Sequence, residues 1–268
     1  MYVSWNEPSE KELETFQSFY SGGKRLKYVG SKNKLSKELA PIIQSYINEN
    51  TNGYLEPFVG GANMIDKIKH KNKIGCDIHK QLIELLKYAQ DLSNVFPKTI
   101  SEQEYQNVKN NKENYEDWYI GLVGFCATFG AKYFGGYARG FKADKITPRD
   151  IPSEGIRNLE KQRKNLQGIK FKNCSFLDIP KHEIKNYVIY CDIPYKGTLK
   201  YDTDYFPYDK FYEWAKEMAI DNTVLISEYS MPEGFECIWS KNVKVGIDSN
   251  KKENDEKADR VEKLFIVN

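Results

Sequence analysis

Apolar residues in this chain recur at two different spacings, and the elements follow from them. Leu35, Leu39, Ile42, Ile43, Tyr46 and Ile47 return at helical intervals and predict an amphipathic helix over roughly 35–49. Pro41 should kink it or mark its true first turn. Tyr54-Leu55-Glu56 predicts a short strand, Pro57-Phe58-Val59-Gly60-Gly61 a tight loop, and Asn63 a cap for a following helix. Residues 73–77 predict the next strand, and Leu82, Ile83, Leu85 and Leu86 the next helix. Together these make a β-α-β-α unit.

From about 91 to 154 the pattern changes. Ser101 with Glu104 resembles a capping box for a short helix. Residues 118–129 are mostly apolar and predict a buried helix. Residues 130–149 mix Gly, aromatic and basic residues without a helical period, and predict an exposed loop or hairpin. The α/β rhythm then resumes. Ile156, Leu159, Arg163 and Leu166 predict a helix, 169–171 and 187–192 strands, Phe211, Trp214, Ala215, Met218 and Ala219 a helix, and 223–227 a strand. Two antiparallel strands, 243–247 and 262–267, close the chain across a charged loop. The expected organisation is an α/β core of residues 1–90 and 155–268, with 1–25 as an N-terminal arm, interrupted by an insert at 91–154.

Composition narrows the function classes. A chain of 268 residues with 40% hydrophobic content can bury a sizeable core. The formal charge of +2 does not demand a nucleic-acid partner. Basic residues are grouped, at Lys24, Arg25, Lys27, Lys32 and Lys34 and again at Lys67, Lys69, Lys71 and Lys73, and solvated faces are the commoner reading of such groups. The five cysteines stand singly and there are three histidines, which argues against a zinc site or a disulfide framework and fits a reducing cytoplasm. No metal is expected. The lack of an apolar run near ~18 residues predicts no membrane span, and no signal-peptide core is legible.

The candidate chemistry sits where strands end. Tyr187-Val188-Ile189-Tyr190-Cys191 is an apolar run that stops at Asp192, with Pro194 and Tyr195 close behind. Proline cannot continue a sheet ladder, so the chain leaves the sheet at the strand's C-terminal end, where open α/β sheets place ligands. Asp192 offers a carboxylate there and Tyr195 a flat stacking surface, a pairing suited to a planar base and its amino group. Asp and Pro are also common turn residues. The Glu56–Gly61 loop likewise follows a strand, and Asp77 ends the next strand 21 residues after Glu56, a place suited to a ribose diol. Adjacent glycines differ from G-x-G-x-x-G and supply few backbone donors for a pyrophosphate. A nucleoside lacking phosphates suits the loop better, and S-adenosylmethionine is one such ligand. Its sulfonium gives acidic and aromatic neighbours a cation to stabilise. Alone, a Gly-Gly loop reads equally as a turn; Asp77 and Asp192 together favour a ligand site.

Taken in order, these segments resemble the Dam-like (D12 class) DNA adenine-N6 methyltransferases. Leu26-Lys27-Tyr28-Val29-Gly30-Ser31-Lys32 resembles the family's N-terminal motif. Glu56–Gly61 is similar to its cofactor loop, Cys76-Asp77-Ile78-His79 to its Asn-Asp-Ile-Asn segment, and Cys191–Tyr195 to its catalytic Asp-Pro-Pro-Tyr. Arg260–Phe265 looks like its closing strand, and Cys174-Ser175-Phe176 falls where the family contacts the cofactor's adenine. Ile193 stands in place of a proline, at a position used through its backbone carbonyl. Ser31 replaces a glycine, and His79 an asparagine.

The resemblance implies a Rossmann-like S-adenosylmethionine-dependent methyltransferase sheet with a smaller inserted helical or hairpin target-recognition domain. It implies methyl transfer to the N6 of an adenine flipped out of double-stranded DNA. Asp192, Pro194 and Tyr195 are then catalytic. Tyr28, Gly30, Lys32, Glu56, Phe58, Gly60, Asp77, Ile78, Ser175, Phe176 and Asp192 are expected at the S-adenosylmethionine, and Lys27, Tyr133, Tyr137 and Arg139 at the DNA. Cytoplasmic location follows, associated with the nucleoid when DNA is bound, and a restriction endonuclease is left open as a second partner. The rivals are a related-fold methyltransferase acting on N4-cytosine, RNA or an amide, a catalytically inactive DNA-binding relative, and a nicotinamide oxidoreductase. Retention of both acids disfavours the inactive relative, and the missing pyrophosphate loop disfavours the oxidoreductase.

Overall fold

The computed structural model of the protein describes residues 26, 32, 35–141, 144, 146–196, 206–243 and 260–267. Seven strands form one sheet: β1 (Gly53–Glu56), β2 (Lys73–Asp77), β3 (Ile169–Asn173), β4 (Tyr187–Asp192), β5 (Thr223–Glu228), β6 (Phe235–Val243) and β7 (Arg260–Val267). Their order is β3-β2-β1-β4-β5-β7-β6. The strands β3 to β5 pair in parallel, and β7 runs antiparallel to both β5 and β6. The order and direction of the strands make this a Rossmann-like sheet with an antiparallel pair at one edge. The strand order reverses direction between β1 and β4, which makes the C-terminal edge of that pair the topological switch point.

The central strands are buried on both faces, which is why β4 reads as a continuous apolar run rather than an alternation. Tyr54, Val188, Tyr190, Leu225 and Leu264 enter one core with helices α1 (Ser36–Ser45), α2 (Lys80–Gln90), α4 (Asp117–Cys126) and α5 (Ile151–Gln162). Leu55, Ile189, Cys191, Ile226 and Phe265 point the other way, into a second core closed by α6 (Tyr208–Ala219). Helix α3 (Glu102–Asn110) adds Tyr105 and Val108 to the first core. Its N-cap is the expected one, with Ser101 Oγ accepting from Glu104 N at 3.1 Å.

Several expectations are corrected. Helix α1 starts at Ser36, so Pro41 lies inside it rather than in its first turn. The segment after the glycine loop is a run of turns, not a helix capped by Asn63. Gly60 and Ala62 have φ of 47° and 55°, and two left-handed residues this close together prevent a helix from starting. Asn63 is buried, and its amide donates to the Leu26 carbonyl at 3.1 Å. Lys67 is buried against Asp66 at 3.1 Å rather than solvated. The partner of β7 is residues 235–243, where 243–247 had been expected. An amphipathic edge strand alternates weakly, and β6 also carries a bulge at Cys237/Trp239. Residues 244–259, and with them the charged loop, lie outside the described residues, as do residues 1–25.

The buried helix α4 approaches α2 closely enough that a side chain at Gly121 has no room. A Cβ there would lie 2.2 Å from the carbonyl oxygen of Gln81. Backbone cannot swing aside as a side chain can. Gly121→Ala is therefore expected to destabilise the fold by about 1–3 kcal/mol, measured as a lower denaturant midpoint. An unchanged midpoint would mean that the two helices are not packed at this distance.

Candidate active site

Four of the five parallel strands end in a carboxylate: Glu56 on β1, Asp77 on β2, Asp192 on β4 and Glu228 on β5. All four converge on one edge because parallel strands share a direction. Each is held differently. Glu56 is 2% exposed and accepts from the Tyr54 hydroxyl at 2.7 Å. Burial raises its pKa well above the usual carboxylate range. Asp77 accepts the Gly60 amide at 3.1 Å on Oδ2 and the His79 amide at 2.9 Å on Oδ1. It thereby fixes the glycine loop to the end of β2. Burial raises the Asp77 pKa, and these amide bonds oppose the rise.

Asp192 pairs with Lys32, Nζ to Oδ1 at 3.2 Å. The same ammonium lies 3.3 Å from Glu262 Oε2 and 4.1 Å from the centroid of the Tyr195 ring. The Tyr195 hydroxyl donates to Glu262 Oε2 at 2.7 Å. Burial pulls the Lys32 pKa down, but the charges of Asp192 and Glu262 and hydrogen bonds to both leave it raised. Burial raises the Asp192 pKa against the pull of Lys32. Lys32, expected at the cofactor's methionine end, thus stands beside Asp192.

Glu228 Oε1 accepts the Lys196 amide at 2.6 Å, which holds the turn that carries Pro194 and Tyr195. The Tyr208 hydroxyl donates to the Pro194 carbonyl at 2.9 Å. Glu228, Glu262 and Tyr208 were absent from the sequence expectation. Glu228 could have been found, because it ends the apolar run 223–227 as Asp192 ends 187–191. Glu262 carries no such signal.

An aromatic wall lies beside this edge. Phe58 meets Phe176, Phe206 and Phe211 at centroid distances of 5.5, 5.7 and 5.8 Å. Phe58 and Phe176 are thus brought together as expected, while Phe206 and Phe211 were not foreseen. The Ser175 hydroxyl accepts from Leu177 N at 3.2 Å and forms a capping box with Asp178. Ile78 follows Asp77 with 75% exposure. The expected Lys27, Tyr28 and Gly30 lie outside the described residues. Just before them, Leu26 is held by Gln162, which is 1% exposed. Gln162 Oε1 accepts from Leu26 N at 3.2 Å, and its amide donates to the Gly61 and Ala62 carbonyls at 3.0 and 3.2 Å.

In the insert, the expected DNA contacts already have protein neighbours. The Tyr133 ring packs on His79 at 4.3 Å and Phe125 at 5.1 Å. The Tyr137 hydroxyl donates to the Ile100 carbonyl at 2.9 Å. Arg139 is 71% exposed along its side chain and forms a forked pair with Glu102. Phe129 and Phe141 are the exposed aromatics of this region, at 68% and 62%. A separate depression of about 670 Å³ is lined by Gln81, Tyr88, Tyr115 and Trp118 and shares no residue with the acidic edge.

Among the described residues no group of three or more His, Cys, Asp or Glu could hold a metal ion, and no helix is long and apolar enough to cross a membrane. The cysteines are less separate than their spacing implied. Cys76 hydrogen-bonds to Cys174 on the adjoining strand end, and that bond, foremost, lowers the Cys174 pKa to about 7.

Residues 28–122 match the family model of the D12 class N6 adenine-specific DNA methyltransferases. The match ends before Asp192. No curated protein matches the sequence. A solved structure it resembles is SMU.472, described as a methyltransferase and complexed with SAH. That likeness has a TM-score of 0.35 and 12% identity, covering 92% of this chain and 55% of the other. The chain thus spans little more than half of that protein, and a likeness at this score carries no argument about the fold or the site.

The thiol pair gives a direct check on this edge. Alkylation of Cys174, followed by peptide mass spectrometry, should accelerate as pH rises through about 7. Cys76→Ala removes the donor, so the midpoint should move up toward the ordinary thiol value of 9.0. A midpoint unmoved by the substitution would mean that the two sulfurs are not in contact.

Proposed function

Taking residues 28–122 as a segment of the D12 class N6 adenine-specific DNA methyltransferase family, we propose that the chain methylates the N6 of adenine in double-stranded DNA, using S-adenosylmethionine. The observation that carries this reading is the arrangement at the switch point. Asp192 and Tyr195 at the end of β4 share one sheet edge with the glycine loop that Asp77 anchors.

The residues present fit the cofactor. Asp77 takes the Gly60 amide on Oδ2 and the His79 amide on Oδ1, and a carboxylate has acceptor sites beyond these for a ribose hydroxyl. Phe58 and Phe176, with Ile78, supply apolar surface for an adenine. Asp192 and Glu228, at the ends of β4 and β5, put acidic groups at this edge that suit a cationic ligand. When bound, S-adenosylmethionine supplies an electrophilic methyl group. Tyr28, Gly30 and Ser175 complete the proposed binding set.

The chain's own residues position the acceptor. Tyr195 stacks on the extruded base. The Asp192 carboxylate and the Ile193 carbonyl accept hydrogen bonds from the exocyclic amino group, which turns the nitrogen lone pair out of conjugation and toward the methyl. Pro194 stiffens the turn, and Glu228 and Tyr208 hold it. Positioning of this kind supplies much of the rate in a two-substrate transfer. Lys32 opposes the rise that burial gives the Asp192 pKa, and so favours its ionised, accepting form. Cys191 is fully buried on the opposite face and takes no part.

The 91–154 segment is the proposed target-recognition unit. Arg139 leaves Glu102 for DNA at small cost, since an exposed ion pair is worth only about 0–1 kcal/mol. Exposed Phe129 and Phe141 favour this loop as the DNA-facing surface. A cytoplasmic enzyme, with or without a restriction endonuclease partner, is consistent with this reading.

Two measurements test the proposal. Asp192→Ala should lower turnover on duplex DNA by about 100-fold or more, the scale of one transition-state contact. Calorimetry should find S-adenosylmethionine affinity little changed. A mutant that still yields N6-methyladenine at close to the wild-type rate would sink the assignment. Arg139→Ala should relax the preference at one base pair, by about 1–3 kcal/mol of discrimination if Arg139 grips a guanine. Uniform loss of rate on all sequences, with a shallower salt dependence, would make it a phosphate anchor instead.

A further inference from the structure

Tyr195 is held from three sides by groups far apart in sequence. The Lys32 ammonium stands 4.1 Å from its ring centroid. Tyr229, just past the end of β5, meets its ring at 4.4 Å with the planes at 84°. Its hydroxyl donates to Glu262 Oε2 at 2.7 Å. Glu262 comes from β7, the reversed strand, and its side chain is 13% exposed. The proposed reaction assigns it nothing.

A tyrosine ring turns about a broad, two-fold χ2 torsion and so has little intrinsic preference for one plane. A stacking platform needs one plane, since reacting groups must be held within about 10–20° of productive geometry. The hydroxyl is the atom farthest from the backbone, so fixing it fixes the plane best. A charged acceptor makes that bond strong. The Lys32 ammonium lies 3.3 Å from the Glu262 carboxylate. Burial raises the Tyr195 phenol above its ordinary range, so it remains a proton donor at working pH.

We propose that Glu262 is the positioning residue for Tyr195: through the phenol hydroxyl it sets the plane on which the target base stacks. This rests on the reading of the site as an adenine methyltransferase. Glu262 touches neither base nor cofactor in this assignment. Glu262 also pairs with Lys32, so a double-mutant cycle isolates the part of its effect that passes through Tyr195.

The cycle uses Glu262→Ala, Tyr195→Phe and the double variant, with Glu262→Gln as the conservative change, all in the full chain. Single-turnover methylation of duplex DNA, calorimetry with S-adenosylmethionine, and unfolding midpoints are measured for each. Glu262→Ala should slow methyl transfer about tenfold or more, the scale of a lost hydrogen bond to a charged group, with cofactor affinity unchanged. Glu262→Gln keeps an acceptor and should recover the greater part of that loss. In the Tyr195→Phe background, Glu262→Ala should cost clearly less than in the wild-type chain, because the hydroxyl bond is already gone and only the Lys32 pair remains to be lost. Additive losses, equal losses for Ala and Gln, or a loss confined to cofactor affinity would overturn the proposal. If the wild-type chain methylates no adenine, the functional reading has failed, and the cycle is read from unfolding alone. Coupling of the two substitutions there upholds the Glu262–Tyr195 clamp, and its absence overturns it.

Discussion

A carboxylate taken out of water must find its partners within the protein, and this molecule places four of them at one edge of a parallel sheet. The loops around the site take their shape from that requirement. The glycine loop bends back because Asp77 draws in the Gly60 amide. The turn after β4 is shaped by Glu228, which gathers the amides of Lys196 and Tyr229. Glu56 relies on Tyr54, two residues back on the same strand. Asp192 has no such local amide among its recorded partners, and Lys32 reaches it from the far end of the chain. Of the four, the acid assigned to the target base is the one whose partner is most distant in sequence.

What could be read in the sequence divides along the same line. Elements with a strong period were legible: the Leu82–Leu86 face of α2, the doubly buried β4, and Phe211–Met218 on α6. The strand-end acids Glu56, Asp77 and Asp192 were legible because a sheet that buries both faces makes a terminal charge conspicuous. The failures have physical causes. Residues 58–68 have the composition of a helix start, but the left-handed backbone at Gly60 and Ala62 follows from tertiary packing that a residue pattern does not encode. The edge strand β6 alternates weakly because one side of it has no neighbouring strand. Glu262 and the Cys76–Cys174 contact come from pairing between distant segments, which spacing along the chain cannot report.

The residues proposed for recognition in the insert can be occupied without being committed. Tyr133 is wedged between His79 and Phe125, and a Cβ on Gly124 would lie 2.5 Å from its ring. That packing ties the loop to the start of α2, directly after Asp77. Arg139, by contrast, is held by a solvent-exposed acid and lies 6.0 Å from the centroid of the Tyr137 ring. The segment thus combines a fixed base with an exchangeable tip. At the other end of α5 from this loop, Gln162 joins the glycine loop to Leu26.

The pairing of β1 with β4 has a consequence for how the chain is made. Gly53 registers with Tyr187, so one whole edge of β1 has no strand beside it until 134 further residues have emerged. Closing so long a loop is entropically costly, and contacts of this range are slow to form. During synthesis the apolar strand Gly53–Glu56 therefore waits with an open edge, the kind of surface on which nascent chains associate wrongly. The switch point proposed as the binding edge is, on the ribosome, a seam that closes late.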